Sequence, residues 1–151
     1  MKPINEMRIK LLSKSSNEGF ARSAVAMFFA QLDPTVDEVS DIKTAVSEAV
    51  TNCIVHGYKD KIGNIYITAK IYEGNKVVVQ IKDNGCGIPD IDKAMEPMFT
   101  TCETGERAGL GFAVMQSFMD KVKVRSKVSK GTTVTLGKTL LSRGESNEHN
   151  R

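Results

Sequence analysis

The chain has 151 residues and a mass of 16.5 kDa, a length that predicts one domain around one sizeable core. With 40% hydrophobic and 26% charged residues, the composition is that of a globular protein and not a disordered one. The balance of 21 Lys and Arg against 18 Asp and Glu gives a formal charge of +3, too mild to imply nucleic acid as a partner, and no apolar run reaches the roughly 18 residues that would predict a membrane span.

The first six residues contain no apolar stretch of the signal-peptide kind, so the expected location is cytoplasmic. Residues 7–12 read as a first strand. Ser15 with Glu18 three positions on has the spacing of a capping box and predicts a helix start. The helix that follows, through residues 20–32, is apolar over a wider arc than one core stripe needs. One face is expected on the sheet and the rest against a partner. Asp33-Pro34 breaks the chain, and Thr35 with Glu38 predicts a second capping box. A long helix runs to about residue 56, with Gly57 as its C-terminal cap. Its apolar set, Ile42, Ala45, Val46, Ala49, Val50, Cys53 and Ile54, has helical spacing.

Ile65, Ile67, Ala69 and Ile71 alternate with polar or aromatic residues and predict a strand. Residues 73–76 form a hairpin turn into a second strand carrying Val77, Val79 and Ile81. From residue 84 to 108 the pattern is lost, as in a functional lid or binding loop. A third long helix is expected over 109–119. Strands over 121–128 and 132–140 close the domain, and residues 142–151 read as a disordered tail. The expected domain is therefore 1–141. Its class is α+β, a two-layer sandwich of a mixed, mostly antiparallel sheet with helices on one face.

Three places carry candidate chemistry. Glu48 and Asn52 are four apart on the long helix, so they share a face at the margin of the apolar stripe. The amide oxygen suits Mg²⁺, and the carboxylate suits proton acceptance. Strand parity makes Asp83 the end of the core-facing row Val77, Val79, Ile81. A buried carboxylate needs a donor, and an adenine amine or Thr132 of the last strand can supply one. Gly85 and Gly87 after it would let a flat ligand approach the backbone. Gly109 and Gly111 at a helix start expose backbone N–H groups to an anion, and Arg107 adds a fork suited to a terminal phosphate. The one Gly-Lys-Thr, Gly137-Lys138-Thr139, has Thr132 and not a glycine five positions before its own glycine, which excludes a Walker motif. The basic residues Lys121, Lys123, Arg125 and Lys127 read as a solvated strand face, with no aromatics interleaved. His56 reads as a helix-end or packing residue. The cysteines, Cys53, Cys86 and Cys102, are too few and too dispersed for a disulfide framework or a zinc site.

Taken together, Glu48-x-x-x-Asn52, Asp83-x-Gly85-x-Gly87, Gly109-x-Gly111 and Gly131-Thr132-Thr133 resemble the boxes of the GHKL ATPase superfamily in order. Stretches such as Val46-Ser47-Glu48-Ala49-Val50-Thr51-Asn52, His56-Gly57-Tyr58 and Phe99-Thr100-Thr101 resemble the small bacterial anti-sigma factor serine kinases. The sporulation anti-sigma F branch is the nearer, with the general-stress anti-sigma B branch close beside it. The resemblance implies a Bergerat-type ATP-binding fold and Mg-ATP as cofactor. It makes Glu48 the general base toward a serine hydroxyl, Asn52 the Mg²⁺ ligand and Asp83 the adenine contact, with Thr132 in support. Gly109 and Gly111 would meet phosphates, and Arg107 the γ-phosphate. Implied partners are an RNA polymerase sigma factor, held inactive, an anti-anti-sigma protein as serine substrate, and a second copy in a homodimer. A nucleotide-dependent sequestering module without transfer is the alternative. Cys86 and Cys102 depart from the family pattern, in the adenine loop and the lid.

Overall fold

Alternation of apolar and polar side chains builds the sheet. The computed structural model describes residues 1–95 and 107–141, the side chains of 107–110 excepted. In chain order the elements are β1 (Asn5–Leu12), α1 (Asn17–Phe29), α2 (Val36–Asn52), β2 (Asn64–Tyr72), β3 (Lys76–Asp83), a short α3 (Ile91–Ala94), α4 (Arg107–Phe118), β4 (Lys121–Lys127) and β5 (Gly131–Thr139). The strands form one sheet in the order β1-β2-β3-β5-β4, and each neighbouring pair is antiparallel. The mixed sheet expected from the sequence thus narrows to an antiparallel one. The expected tail, 142–151, and the middle of the expected lid, 96–106 with Cys102, lie outside the described residues.

Ile65, Ile67, Ala69 and Ile71 of β2 and Val77, Val79 and Ile81 of β3 turn one way and are buried. Phe29 of α1, Ile42, Val46 and Val50 of α2 and Met115 of α4 cover them in a single core. Each such side chain contributes about 1.5–3 kcal/mol by leaving water. The helices lie on this one face, so among the described residues no helix covers the far face of the sheet. Gly74 and Asn75 take φ of 79° and 58° in the β2–β3 turn, a conformation that Gly and Asn tolerate best.

The two expected capping boxes differ in outcome. At α2 the box is complete: Glu38 N–H donates to Thr35 Oγ1 (3.1 Å) and Thr35 N–H to Glu38 Oε1 (2.8 Å). At α1 it is absent. The helix starts at Asn17, and Ser16 at the cap position makes no side-chain bond. Glu18 instead accepts from the Ser47 hydroxyl of α2 and from Arg22 Nη1 (3.2 Å), tying the two helices together.

Glu38 also holds the chain just past β5, since its Oε2 accepts from Leu141 N–H (2.8 Å). Burial raises its pKa, but the bonds from Thr35 and Leu141 outweigh that and leave it below the usual value. A carboxylate whose folded pKa is depressed stabilises the fold above its unfolded pKa and loses that stabilisation as the pH falls. Glu38→Ala is therefore expected to cost about 1–2 kcal/mol at pH 7. In urea unfolding the gap between wild type and variant should narrow on acidification. A gap that held constant with pH would contradict the ionised cap.

Candidate functional site: a cavity at one end of the sheet

α2 does not stop cleanly at a glycine cap. After Asn52 it widens into a π-helical turn, Cys53–Gly57, closed by Tyr58 N–H to Cys53 O (2.9 Å). Such insertions re-aim side chains and cluster at functional sites. Here the turn faces the end of β3. The phenol of Tyr58 donates to Asn64 O and accepts from Asn84 N–H (2.8 Å), which pins the loop after Asp83 to the start of β2.

Asp83 ends the core-facing row as parity predicts, only 4% exposed. Its Oδ1 accepts from Gly85 N–H (2.8 Å). Burial pushes the Asp83 carboxyl above its ordinary range, and hydrogen bonds from the Gly85 N–H, the Cys53 thiol and the Thr132 backbone pull it partly back. Burial, and next the Asp83 charge, push the Cys53 thiol well up, so it stays a donor. Thr132 pairs with Asp83 in register. Its hydroxyl, expected on Asp83, shares a hydrogen bond with Ser126 Oγ (2.7 Å), so the support it gives comes from the main chain.

The glycines after Asp83 serve the backbone first. A Cβ on Gly85 would sit 2.1 Å from Gly57 O, and one on Gly87, where φ is +77°, 2.2 Å from Lys127 O. Of the two positions expected to admit a ligand, Gly87 lines the cavity between the π-turn and α4 and Gly85 does not. Gly85→Ala is therefore expected to destabilise the fold itself, by about 1–3 kcal/mol from overpacking. Thermal unfolding without any ligand checks this, and an unchanged midpoint would return Gly85 to the ligand.

A cavity of about 490 Å³ opens between the π-turn, the 83–89 loop, α3 and α4. Asp83, Thr132 and Asn52 all line it. Ile88, Pro89, Phe112 and Val134 make it largely apolar. Both amide atoms of Asn52 are buried with no hydrogen-bond partner among the described residues, as is Nε2 of His56. Unpaired buried polar groups are rare and costly, and these point into the site. A Cβ on Gly111 would lie 3.2 Å from Asn52 Nδ2 and from Glu48 Oε2. Gly111, one turn into α4, therefore stands directly over the Glu48–Asn52 pair. Arg107 and Gly109 belong to the turn before it, but the side chain of Arg107 lies outside the described residues.

Glu48 does not line this cavity but a second recess, a groove of about 570 Å³ along α2 on the side of Arg22, Val39 and Ser47. Among the described residues no cluster of three or more His, Cys, Asp or Glu could hold a metal. A Mg²⁺ ion fits this site through the Asn52 oxygen only with ligand phosphates or water completing its shell, the usual manner for Mg²⁺.

Sequence reasoning missed His56. It lines the cavity, and burial, then Lys59, lower its pKa, which favours a neutral imidazole. The signal was weak because regular helical spacing does not anticipate a π-turn. Cys86, exposed at the cavity rim, places its Sγ 3.1 Å from His56 O.

Residues 14–138 match the histidine kinase-like ATPase domain family. The anti-sigma F factor of Thermoanaerobacter sp. strain X514 is 59% identical over 93% of this chain and 97% of its own length. The anti-sigma F factor of Geobacillus kaustophilus is 52% identical over 90% of this chain and 93% of its own. The chain belongs to the anti-sigma F factor family. Among solved structures, the RsbU and RsbW domains of a Mycobacterium tuberculosis protein superpose with a TM-score of 0.66 at 21% identity, covering 91% of this chain and 32% of that one. A blue-light activated histidine kinase of Erythrobacter litoralis does so with 0.58 at 21% identity, over 84% of this chain and 43% of the other. At that identity the likeness speaks for the fold, which is the GHKL-type α+β sandwich expected from the sequence. The anti-sigma F relatives share nearly their whole length with this chain. The cavity, the π-turn and the Glu48–Asn52 pair all lie within residues 14–138.

Proposed function

We propose that this protein is an anti-sigma factor and a protein-serine kinase. It binds and inhibits a sporulation sigma factor, sigma F, and uses Mg-ATP to phosphorylate an anti-anti-sigma protein on serine. One observation carries the reading: the Asn52 amide, buried with no partner among the described residues, sits beside Glu48 against Gly111 of α4 and lines the same largely apolar cavity as the buried Asp83.

Each residue then has a physical task. Asp83 accepts the adenine amine, while Gly85 N–H and the Cys53 thiol keep its carboxylate in place. The apolar walls hold the base, and Gly87 admits it close to the backbone. Asn52 Oδ1 holds Mg²⁺, which when bound neutralises phosphate charge. The N–H groups around Gly109 and Gly111 at the start of α4 face the phosphates, and Arg107 supplies a positive fork for the terminal one. Glu48 accepts the serine proton from the side of the Arg22 groove as the hydroxyl oxygen attacks the γ-phosphorus and ADP leaves. Phosphoryl transfer rests mainly on positioning and charge, so this sparse set suffices.

The same reading assigns the exposed apolar side chains of α1, Phe20 and Met27, to protein contacts in a homodimer or with the sigma factor. It places the work in the cytoplasm. Among the described residues no helix is long and apolar enough to cross a membrane. The test of the inhibitory half is transcription in vitro by RNA polymerase carrying sigma F. With ATP present, the chain should suppress sigma F-directed transcripts and spare those of the housekeeping sigma factor. Transcription unaffected by an excess of the chain would overturn it.

A further inference from the structure

The open face of the sheet carries a charge that the rest of the chain does not. β4 turns Lys121, Lys123, Arg125 and Lys127 to this face, and β1 to β3 add five more Lys or Arg, among them Lys10 and Lys82. The one acidic side chain that these strands add is Glu6, paired with Arg8 at 2.8 Å. Nine basic residues against one acid give the face +8, so with +3 overall the remaining residues net −5.

The sequence offered no aromatic residue beside the basic run of β4, but the sheet brings them from β2. One register row runs Lys10, Tyr66, Lys82, Thr133, Arg125 across all five strands, with half-buried Tyr66 among the bases. Tyr72 lies on the same face opposite Lys76. The adjoining row is Arg8, Thr68, Gln80, Thr135, Lys123, which places two hydroxyls and an amide between two charges. Successive basic residues on β4 are two positions apart, about 6.6–6.8 Å along an extended strand.

We propose that this open face docks single-stranded RNA. Phosphates lie along the basic residues of β4, β3 and β1, a base stacks on Tyr66, and the Thr68–Gln80–Thr135 row meets ribose 2′-hydroxyls. Among the described residues this face projects no helix that could enter a duplex groove. A second copy on this face would oppose +8 with +8, so homodimerisation belongs elsewhere. The face is on the far side of the sheet from the helices, and its residues take no part in the proposed nucleotide site.

Fluorescence anisotropy of a labelled 20-nucleotide oligo(U) with the full chain tests this directly. Saturable binding is expected, weakening about tenfold or more between about 50 and about 200 mM salt. The double variant Lys123→Glu/Arg125→Glu, on an exposed edge strand, should lose about tenfold or more. Tyr66→Ala should lose about fivefold or more while keeping the native circular dichroism. Oligo(dT) of equal length should bind more weakly. Failure to saturate, indifference to the double substitution, equal binding of oligo(dT), or displacement of the RNA by polyglutamate at equal charge concentration would each overturn the assignment. The last would make the face a site for acidic protein.

Discussion

In the Glu48→Gln variant, transfer of phosphate to the serine partner is expected to fall about 10²- to 10⁴-fold, while Mg-ATP affinity stays within about threefold of wild type. Gln keeps the length and the oxygen that faces Gly111 but cannot take a proton. The split between rate and affinity is the informative quantity. Glu48 lies beside Asn52 yet also borders the groove on the Arg22 side, so its loss should affect the incoming hydroxyl more than the bound nucleotide. Single-turnover transfer and nucleotide titration measure the two separately. A variant with full transfer would remove Glu48 from the base role. One that lost transfer and nucleotide binding together would make it part of the phosphate site instead.

The Asp83→Asn variant should behave in the opposite sense. Adenine binding is expected to weaken about 30-fold or more, because a site built to hydrogen-bond a group rejects what no longer pairs with it. The apo fold should be as stable as wild type or slightly more so. The sign follows from the raised pKa. Burial holds Asp83 above its unfolded value, so at neutral pH its charge opposes folding, and that cost fades as the pH falls through the folded pKa toward the unfolded one. Asn removes the charge and retains an oxygen for Gly85 N–H. Thermal unfolding without nucleotide, across pH 4–7, checks the stability half. A variant markedly less stable than wild type at pH 7 would show that the carboxylate is needed for the loop rather than for the ligand.

Much of this site was readable from spacing. Strand parity placed Asp83 at the end of the buried row, and helical spacing put Glu48 and Asn52 on one face. Both follow from periods that a strand and a helix impose on any sequence. What escaped were features that depend on two distant stretches of backbone meeting. Gly85 reads as a ligand glycine until the carbonyl of Gly57 is seen occupying the space beside it. Thr132 reads as a side-chain partner of Asp83 until Ser126, on the neighbouring strand, takes up its hydroxyl. The Tyr58 pin and the exposure of His56 to the cavity both rest on the π-turn, where one extra residue per turn defeats a 3.6-residue pattern. Ser15 and Glu18 had the right spacing for a cap, but a bond to Ser47 across the helix pair drew Glu18 away. Short α3, with Ala94 against the cavity, has too few residues to show any period.

Phosphoryl transfer is the central claim, and intact mass spectrometry tests it most directly. The chain would be mixed with Mg²⁺, ATP and a sporulation anti-anti-sigma protein, and the partner's mass followed with time. The expected result is one added phosphate, on serine, with ADP formed in equal amount and no gain when Glu48→Gln replaces the wild type. A partner whose mass does not change, under conditions where the chain demonstrably binds ATP, would contradict the kinase and leave a nucleotide-bound module that only sequesters its sigma factor.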